Sequence, residues 1–404
     1  MSALSRCIAI PAERFADEHW GRLPLLTSRG ELAAGFDDLL DASAVDELLS
    51  RRGLRTPFLR MAKDGDLVAP KRYTRGGGAG AGAPDQVADD RVLDQLGGGA
   101  TLVLQGLHRT WPPLVAFASE LAAELGHPVQ VNAYVTPPQN TGFAAHYDVH
   151  DVFVLQIAGR KQWRVHEPVL TDPLGDQPWE QHREAVAARA AEEPLLDTVI
   201  EPGDSLYLPR GYLHSATALG ELSIHLTVGI HAISRYQLVR HLMAIAQNDP
   251  ALRRSLPMGV DLGDPTVLDP HLRETVAALH AFLDGGGTDA VAERVAADLT
   301  QQTRPAPIGP LAQLAASDSL GPDTSLRMRA GLRVRLDRGE TNLRLRLPDK
   351  AVTLPLGAES ALKAVLTGEA FTPRELPGLD AAEQLDVARR LIREGMVVPV
   401  SASD

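Results

Sequence analysis

One cysteine, Cys7, stands in 404 residues. That excludes a disulfide framework and a zinc–thiolate site, and it fits a reducing cytoplasm. No apolar run approaches the ~18 residues that a membrane-spanning helix requires. The first twenty residues lack the long apolar core of a secretory leader, so a cytoplasmic location is expected. Positive charge is also short: 40 Lys and Arg face 52 Asp and Glu, a net charge of −12. That balance argues against whole-molecule affinity for nucleic acid and is compatible with a basic protein partner. The glycine-rich stretch 76–82 lacks the Gly-Lys-Ser/Thr ending of a phosphate-binding loop, so nucleotide binding is excluded there. It is expected to be a flexible loop, a mobile lid or a disordered excursion near the mouth of a site.

What is present is ordinary globular composition, 44% hydrophobic and 23% charged, with a length that suggests two or three domains. The chemistry concentrates in 131–168. Its centre is His146-Tyr147-Asp148, in a segment that reads as β-strand. Alternate side chains of a strand share a face, so His146 and Asp148 point the same way, about 6–7 Å apart. Two such ligands are two thirds of a 2-His-1-carboxylate site for Fe(II). A His-x-Asp triplet alone decides little, because a surface strand with polar residues facing water would carry it equally well.

Three neighbouring features give the triplet weight. Downstream, Pro202-Gly203-Asp204 is a turn, 205–208 reads as a short strand, and Pro209-Arg210-Gly211 bends the chain again to deliver His214 beside the sheet. A ligand arriving from a distant strand is how a jelly roll closes a facial triad. After a hairpin turn expected at Ala158-Gly159, Lys161 shares a face with Trp163 and Val165, opposite the wet face of Arg160, Gln162 and Arg164. A buried, unpaired ammonium is costly, so Lys161 should meet an Asp, a Glu or a ligand carboxylate. In 131–135, Asn132 and Tyr134 alternate with Val131, Ala133 and Val135. Their amide and phenol either form a satisfied core network or hold a polar co-substrate. In 222–230, Ser223, His225, Thr227 and Gly229 share one face; Thr227 is the candidate contact and His225 the structural residue. His150 is a decoy, because it would lie on the same strand face as Asp148.

Together these residues resemble the JmjC-type cupin oxygenases, and more closely the ribosomal-oxygenase branch, which hydroxylates ribosomal proteins. The resemblance rests on Asn132-x-Tyr134, His146-x-Asp148, Lys161 fifteen residues after the first His, and the Pro-Gly-Asp…Leu-Pro-x-Gly-x-x-His214 run. It covers about residues 10–235 well. It implies an α+β chain with a double-stranded β-helix, Fe(II) held by His146, Asp148 and His214, and the distal carboxylate of 2-oxoglutarate paired with Lys161. Asn132 and Tyr134 would help hold the co-substrate, with O2 as the second one and a protein side chain as the target. Alternatives stay open: a hydroxylase of a biosynthetic peptide or small molecule, a cupin hydrolase or isomerase with another metal, and a non-enzymatic scaffold.

The rest of the chain divides by pattern. Leu114, Phe117, Leu121 and Leu125 predict a helix over 112–125, stopped by Gly126 and Pro128. The segment around His19 reads as packing onto the barrel, and 178–193 as an exposed, Ala-rich insertion. Beyond 235, stripes at Leu238/Val239/Leu242/Ile245, Val276/Leu279/Leu283 and Val291/Val295/Leu299 predict helices. The expected division is a catalytic domain over 1–235, a helical block over 236–303 and a C-terminal domain over 304–404. The resemblance assigns homodimerisation to the block and a winged-helix-like fold to the C-terminal domain. Over 301–404, 14 Lys and Arg face 13 Asp and Glu, so no DNA binding is expected there.

Overall fold

The structure is a computed structural model and describes residues 2–63, 65–138, 140 and 144–400. The chain divides into two compact units, 1–232 and 233–404. In the first, β1 (Leu25–Thr27), β2 (Leu59–Lys63) and β3 (Asp66–Leu67) precede a short ribbon, β4 (Thr74–Arg75) and β5 (Gln86–Val87). The glycine-rich stretch 76–82 connects that ribbon. Next come β6 (Thr101–Leu104), β7 (Val129–Thr136), β8 (Asp151–Ala158) and β9 (Lys161–His166). The last are β10 (Leu196–Ile200), β11 (Ser205–Leu208), β12 (Leu213–Ala218) and β13 (Ser223–Ile230).

Eight strands form one sheet in the order β1-β11-β8-β13-β7-β6-β2-β3, and three form another, β10-β9-β12. Every pairing is antiparallel. The large sheet is covered on both faces. Val131, Ala133 and Val135 of β7 and Leu226 and Val228 of β13 join one core with Leu114, Phe117 and Leu121 of the helix Pro112–Leu125. That helix ends at Gly126, whose φ of +71° is the left-handed stop its sequence predicts. On the other face, Val152, Val154 and Leu206 meet Trp163 and Val165 of the small sheet in a second core. Two sheets enclosing an apolar interior make the jelly roll that the strand patterns suggest.

The turn after β8 differs from expectation. β8 pairs with β11 and β13, whereas β9 pairs with β10 and β12, so no hairpin joins them. The chain crosses from one sheet to the other. Gly159 makes this possible: its φ is +62°, and a Cβ there would lie 2.2 Å from the Leu222 carbonyl oxygen. The alternation of 161–165 fits either arrangement, because it fixes faces but not partners.

In the second unit, the three predicted stripes lie on the helices Arg235–Ala246, Pro265–Asp284 and Thr288–Gln302. The remainder holds the sheet Arg335–Arg338, Asn342–Arg346, Ala351–Pro355, the pair Leu326–Met328 and Val397–Pro399, and the helices Pro310–Asp318, Glu359–Val365 and Ala381–Arg393. Leu343, Leu345, Leu362, Leu391 and Val397 belong to its core. Among the described residues, no helix is long and apolar enough to cross a membrane.

Candidate metal centre and co-substrate cavity

His214 is the second residue of β12, opposite Val165 of β9. His146 and Asp148 do not lie in a strand of either sheet, contrary to the sequence reading; β8 begins only at Asp151. The segment 146–148 is instead stitched to the start of β12. The His146 N–H donates to the His214 carbonyl at 3.2 Å, the His214 N–H to the His146 carbonyl at 2.8 Å, and the Gly211 N–H to the Asp148 carbonyl at 3.0 Å. Pairing with 211–214 brings the three ligands together without a strand. The turn is anchored in turn: the buried Asp151 carboxylate accepts from the Tyr207 hydroxyl at 2.7 Å and the Arg210 N–H at 3.0 Å.

One ligand atom from each of His146, Asp148 and His214 lies within 4.8 Å of the others. The His214 Nε2 is 3.8 Å from an Asp148 carboxylate oxygen, and the two imidazole centroids are 4.5 Å apart. Each ring is oriented by a backbone acceptor: Nδ1 of His146 faces the Ala144 carbonyl at 2.8 Å, and Nδ1 of His214 the Tyr212 carbonyl at 3.1 Å. A carbonyl can only accept, so both rings carry a proton on Nδ1, which leaves Nε2 as the nitrogen turned to the cluster. Burial, then repulsion from His146, pushes His214 down to about 4, so its ring is neutral at pH 7. Burial works to raise the Asp148 carboxyl, but His150, His214, His146 and Arg60 together hold it below the usual range. Two imidazoles and one ionised carboxylate, converging from two stitched segments, suit a divalent first-row metal such as Fe(II).

His150 stands outside this cluster. Its Nε2 lies 3.3 Å from Gln130 Nε2, and its ring packs edge-on against His231 with centroids 5.2 Å apart. His19 is a packing residue as expected, with Nδ1 3.3 and 3.2 Å from the Leu23 and Pro24 carbonyls.

Tyr134, Lys161, Trp163, His225 and Thr227 line one cavity with His146, Asp148 and His214. The register of β7 and β13 sets Tyr134 opposite His225 and Asn132 opposite Thr227, so all four share the interior face. Tyr134 and His225 stack with centroids 5.0 Å apart, and Arg60 of β2 donates to the Tyr134 phenol. Asn132 is not among the residues lining the cavity; its amide oxygen accepts from the Gly106 N–H at 3.1 Å. Lys161 is 2% exposed. Its Nζ donates to Thr136 Oγ1 at 3.0 Å and to His225 Nδ1 at 3.3 Å. Among the described residues no carboxylate pairs with it, and burial pushes the ammonium down to about 7. Of the two partners expected for Lys161, a protein carboxylate is not supplied by any described residue.

Three residues around the site are not marked by the sequence pattern, and a fourth, His225, reads there only as structure. Thr136 ends the strand that carries Tyr134. Arg60 reaches Tyr134 from a strand more than 70 positions earlier, so no local pattern marks it. Trp179, in the insertion expected to be merely exposed, sits with its ring 6.3 Å from that of His146. The insertion is held there by Tyr147, which donates to the Gln177 carbonyl at 2.9 Å and packs with Val186 and Leu213.

The JmjC domain family matches residues 115–238. Ribosomal oxygenase 1 of Gallus gallus is 32% identical over 267 residues, 63% of this chain and 42% of that protein. The bifunctional lysine-specific demethylase and histidyl-hydroxylase NO66 of Drosophila yakuba is 41% identical over 138 residues, 32% of this chain and 20% of that protein. The chain therefore spans less than half the length of either relative. Among solved structures, Escherichia coli ribosomal oxygenase YcfD superposes with a TM-score of 0.55 at 19% identity, covering 97% of this chain and 98% of that one. The same protein has been solved with cobalt and 2-oxoglutarate. At such identity the superposition speaks for the fold. With His146, Asp148, Lys161 and His214 all inside the matched segment, residues 115–238 are a JmjC domain, and the chain is a relative of the ribosomal oxygenases.

Proposed function

We propose that the chain is an Fe(II)- and 2-oxoglutarate-dependent oxygenase that hydroxylates an amino-acid side chain of a protein, a ribosomal protein first. The observation that carries this reading is the buried Lys161 ammonium, without a carboxylate partner among the described residues, in the same cavity as the clustered ligands. A metal hydrolase or isomerase on the same barrel would keep the ligands and have no use for that cation. The relatives named as ribosomal oxygenases supply the substrate class.

His146, Asp148 and His214 would hold Fe(II), which supplies the activation of O2 that protein side chains cannot perform. The cavity beside these three side chains, lined also by Lys161, Tyr134 and Thr227, would receive the co-substrate. Lys161 would pair with the distal carboxylate of 2-oxoglutarate, with Tyr134 and Thr227 beside it and Asn132 further along the same face, its amide oxygen held by the Gly106 N–H. Trp163, Val152 and Val154 wall the cavity and keep water from the bound acid.

The same reading divides the chain into a catalytic domain over 1–235, a dimerisation block over 236–303 and a winged-helix-like domain over 304–404. Pro265–Asp284 supports the second assignment: none of its residues is buried, and Leu272 and Val276 are 54% and 44% exposed. The test is reconstitution with Fe(II) under nitrogen, followed by mass spectrometry of ribosomal proteins from deletion and wild-type cells. One added oxygen on a single ribosomal protein, present only in wild type, is the expected result. Absence of any such shift, with no turnover of 2-oxoglutarate, would overturn the reading.

A further inference from the structure

Three strands converge on the Lys161 ammonium: β9 carries the lysine, β7 brings Thr136 and β13 brings His225. An ammonium has three N–H bonds. One goes to Thr136 Oγ1 at 3.0 Å and one to His225 Nδ1 at 3.3 Å, leaving one for the cavity that Lys161 lines. His225 can accept at Nδ1 only as the neutral Nε2–H tautomer. Its ring has little freedom to turn away, being 4% exposed, stacked on Tyr134 at an interplanar angle of 9° and met edge-on by Trp163 at 5.6 Å. Burial and the adjacent ammonium both keep it deprotonated.

The residue type matters. An Asp or Glu at this place would neutralise Lys161 permanently and compete with an incoming carboxylate. An apolar residue would leave the ammonium free to swing on its four-carbon stem. A neutral, ring-locked acceptor directs the ammonium and leaves its charge unspent. We propose that His225 is a positioning residue that aims Lys161 at the distal carboxylate of the 2-oxo acid, and so sets the preference for a dicarboxylate. The inference rests on the oxygenase reading above.

The test uses the full chain loaded with Mn(II) under nitrogen and compares the Kd of 2-oxoglutarate with that of 2-oxobutyrate, which lacks the distal carboxylate. Wild type should bind 2-oxoglutarate the more tightly. His225→Leu should weaken 2-oxoglutarate by about tenfold or more, the loss of one charge-assisted hydrogen bond, and leave 2-oxobutyrate unchanged. His225→Asn, whose amide oxygen falls near the place of Nδ1, should recover most of the loss. If the leucine variant does not fold, His225→Phe keeps the stack on Tyr134 and removes the acceptor. Wild type that binds both acids equally would sink the oxygenase reading itself. Wild type that discriminates, with Leu and Phe variants that discriminate as well, would overturn only the role of His225. So would equal weakening of both acids, or an Asn variant no better than Leu, since a merely structural residue behaves that way.

Discussion

Replacing Lys161 by methionine should stabilise the unliganded protein while destroying its affinity for 2-oxoglutarate. Burial takes the ammonium from 10.5 to about 7; at 1.36 kcal/mol per pH unit this amounts to about 5 kcal/mol held against folding. Methionine of similar length removes that cost and forfeits two hydrogen bonds, to Thr136 and His225, at about 1 kcal/mol each. The net gain is therefore on the order of 1–3 kcal/mol, within the range seen when buried charges give way to packed apolar residues. The pH dependence has a definite sign. Below pH 7 both folded and unfolded lysine are protonated and the whole cost is present. Between about 7 and 10.5 the folded state has released its proton and the unfolded state has not, so the parent gains stability as pH rises. The methionine variant should thus outlast the parent most at pH 6, with the gap closing toward pH 10. With Mn(II) and 2-oxoglutarate present the order reverses, because a carboxylate buried without its cation costs about 2–5 kcal/mol of binding. Calorimetric melting across pH, with and without the acid, reads both effects. A parent that melts higher than Lys161→Met at pH 6 without ligand would refute the reasoning.

Further outcomes follow from the same geometry. His146→Ala and His214→Ala should each lose Fe(II) on reconstitution, measured by metal analysis, whereas His150→Ala should retain it; the reverse pattern would void the ligand assignment. Light scattering should give the mass of two chains at micromolar concentration, and removal of 236–300 should reduce it to one. The full chain should show no salt-sensitive binding of duplex DNA at micromolar concentration. In the second unit Arg335 and Arg346 pair with Asp337 and Arg338 with Glu359, so the arginines there are in part already spent. Tight duplex binding that weakens steeply with salt would contradict this.

The three clustered ligands and Lys161 were legible in the sequence for different reasons. His146 and Asp148 need only an extended backbone to share a side, and 146–148 is extended whether it belongs to a sheet or is stitched to 211–214. The strand assignment does not hold, yet the three side chains still come together. Lys161 was legible because one ammonium on an apolar face is conspicuous beside Trp163 and Val165, both buried. The partners of its strand were not, since they depend on a crossing at Gly159 that a two-residue connection does not announce. Asn132 shows a further limit: alternation puts it on the interior face but does not say that its amide oxygen accepts from the Gly106 N–H.

His225 was the harder case, and the reason is general to strands covered on both faces. In β13 the alternation of Ser223, His225 and Thr227 with Ile224, Leu226 and Val228 marks two unlike faces, either of which could be interior, and the polar one, with His225 buried, faces a cavity. Periodicity reports that two environments differ without saying which is water. What separates the cases is burial of the pairs across the ladder. A solvated face also sets polar residues opposite polar residues but leaves them to water, whereas here Tyr134 faces His225, Asn132 faces Thr227 and Thr136 faces Ser223, with Thr136, Ser223 and His225 buried. Three such pairs in consecutive inward positions require groups of different strands to satisfy one another or a shared ligand. The register of β7 against β13, which no single strand carries, is thus what turns a patterned segment into the wall of a site.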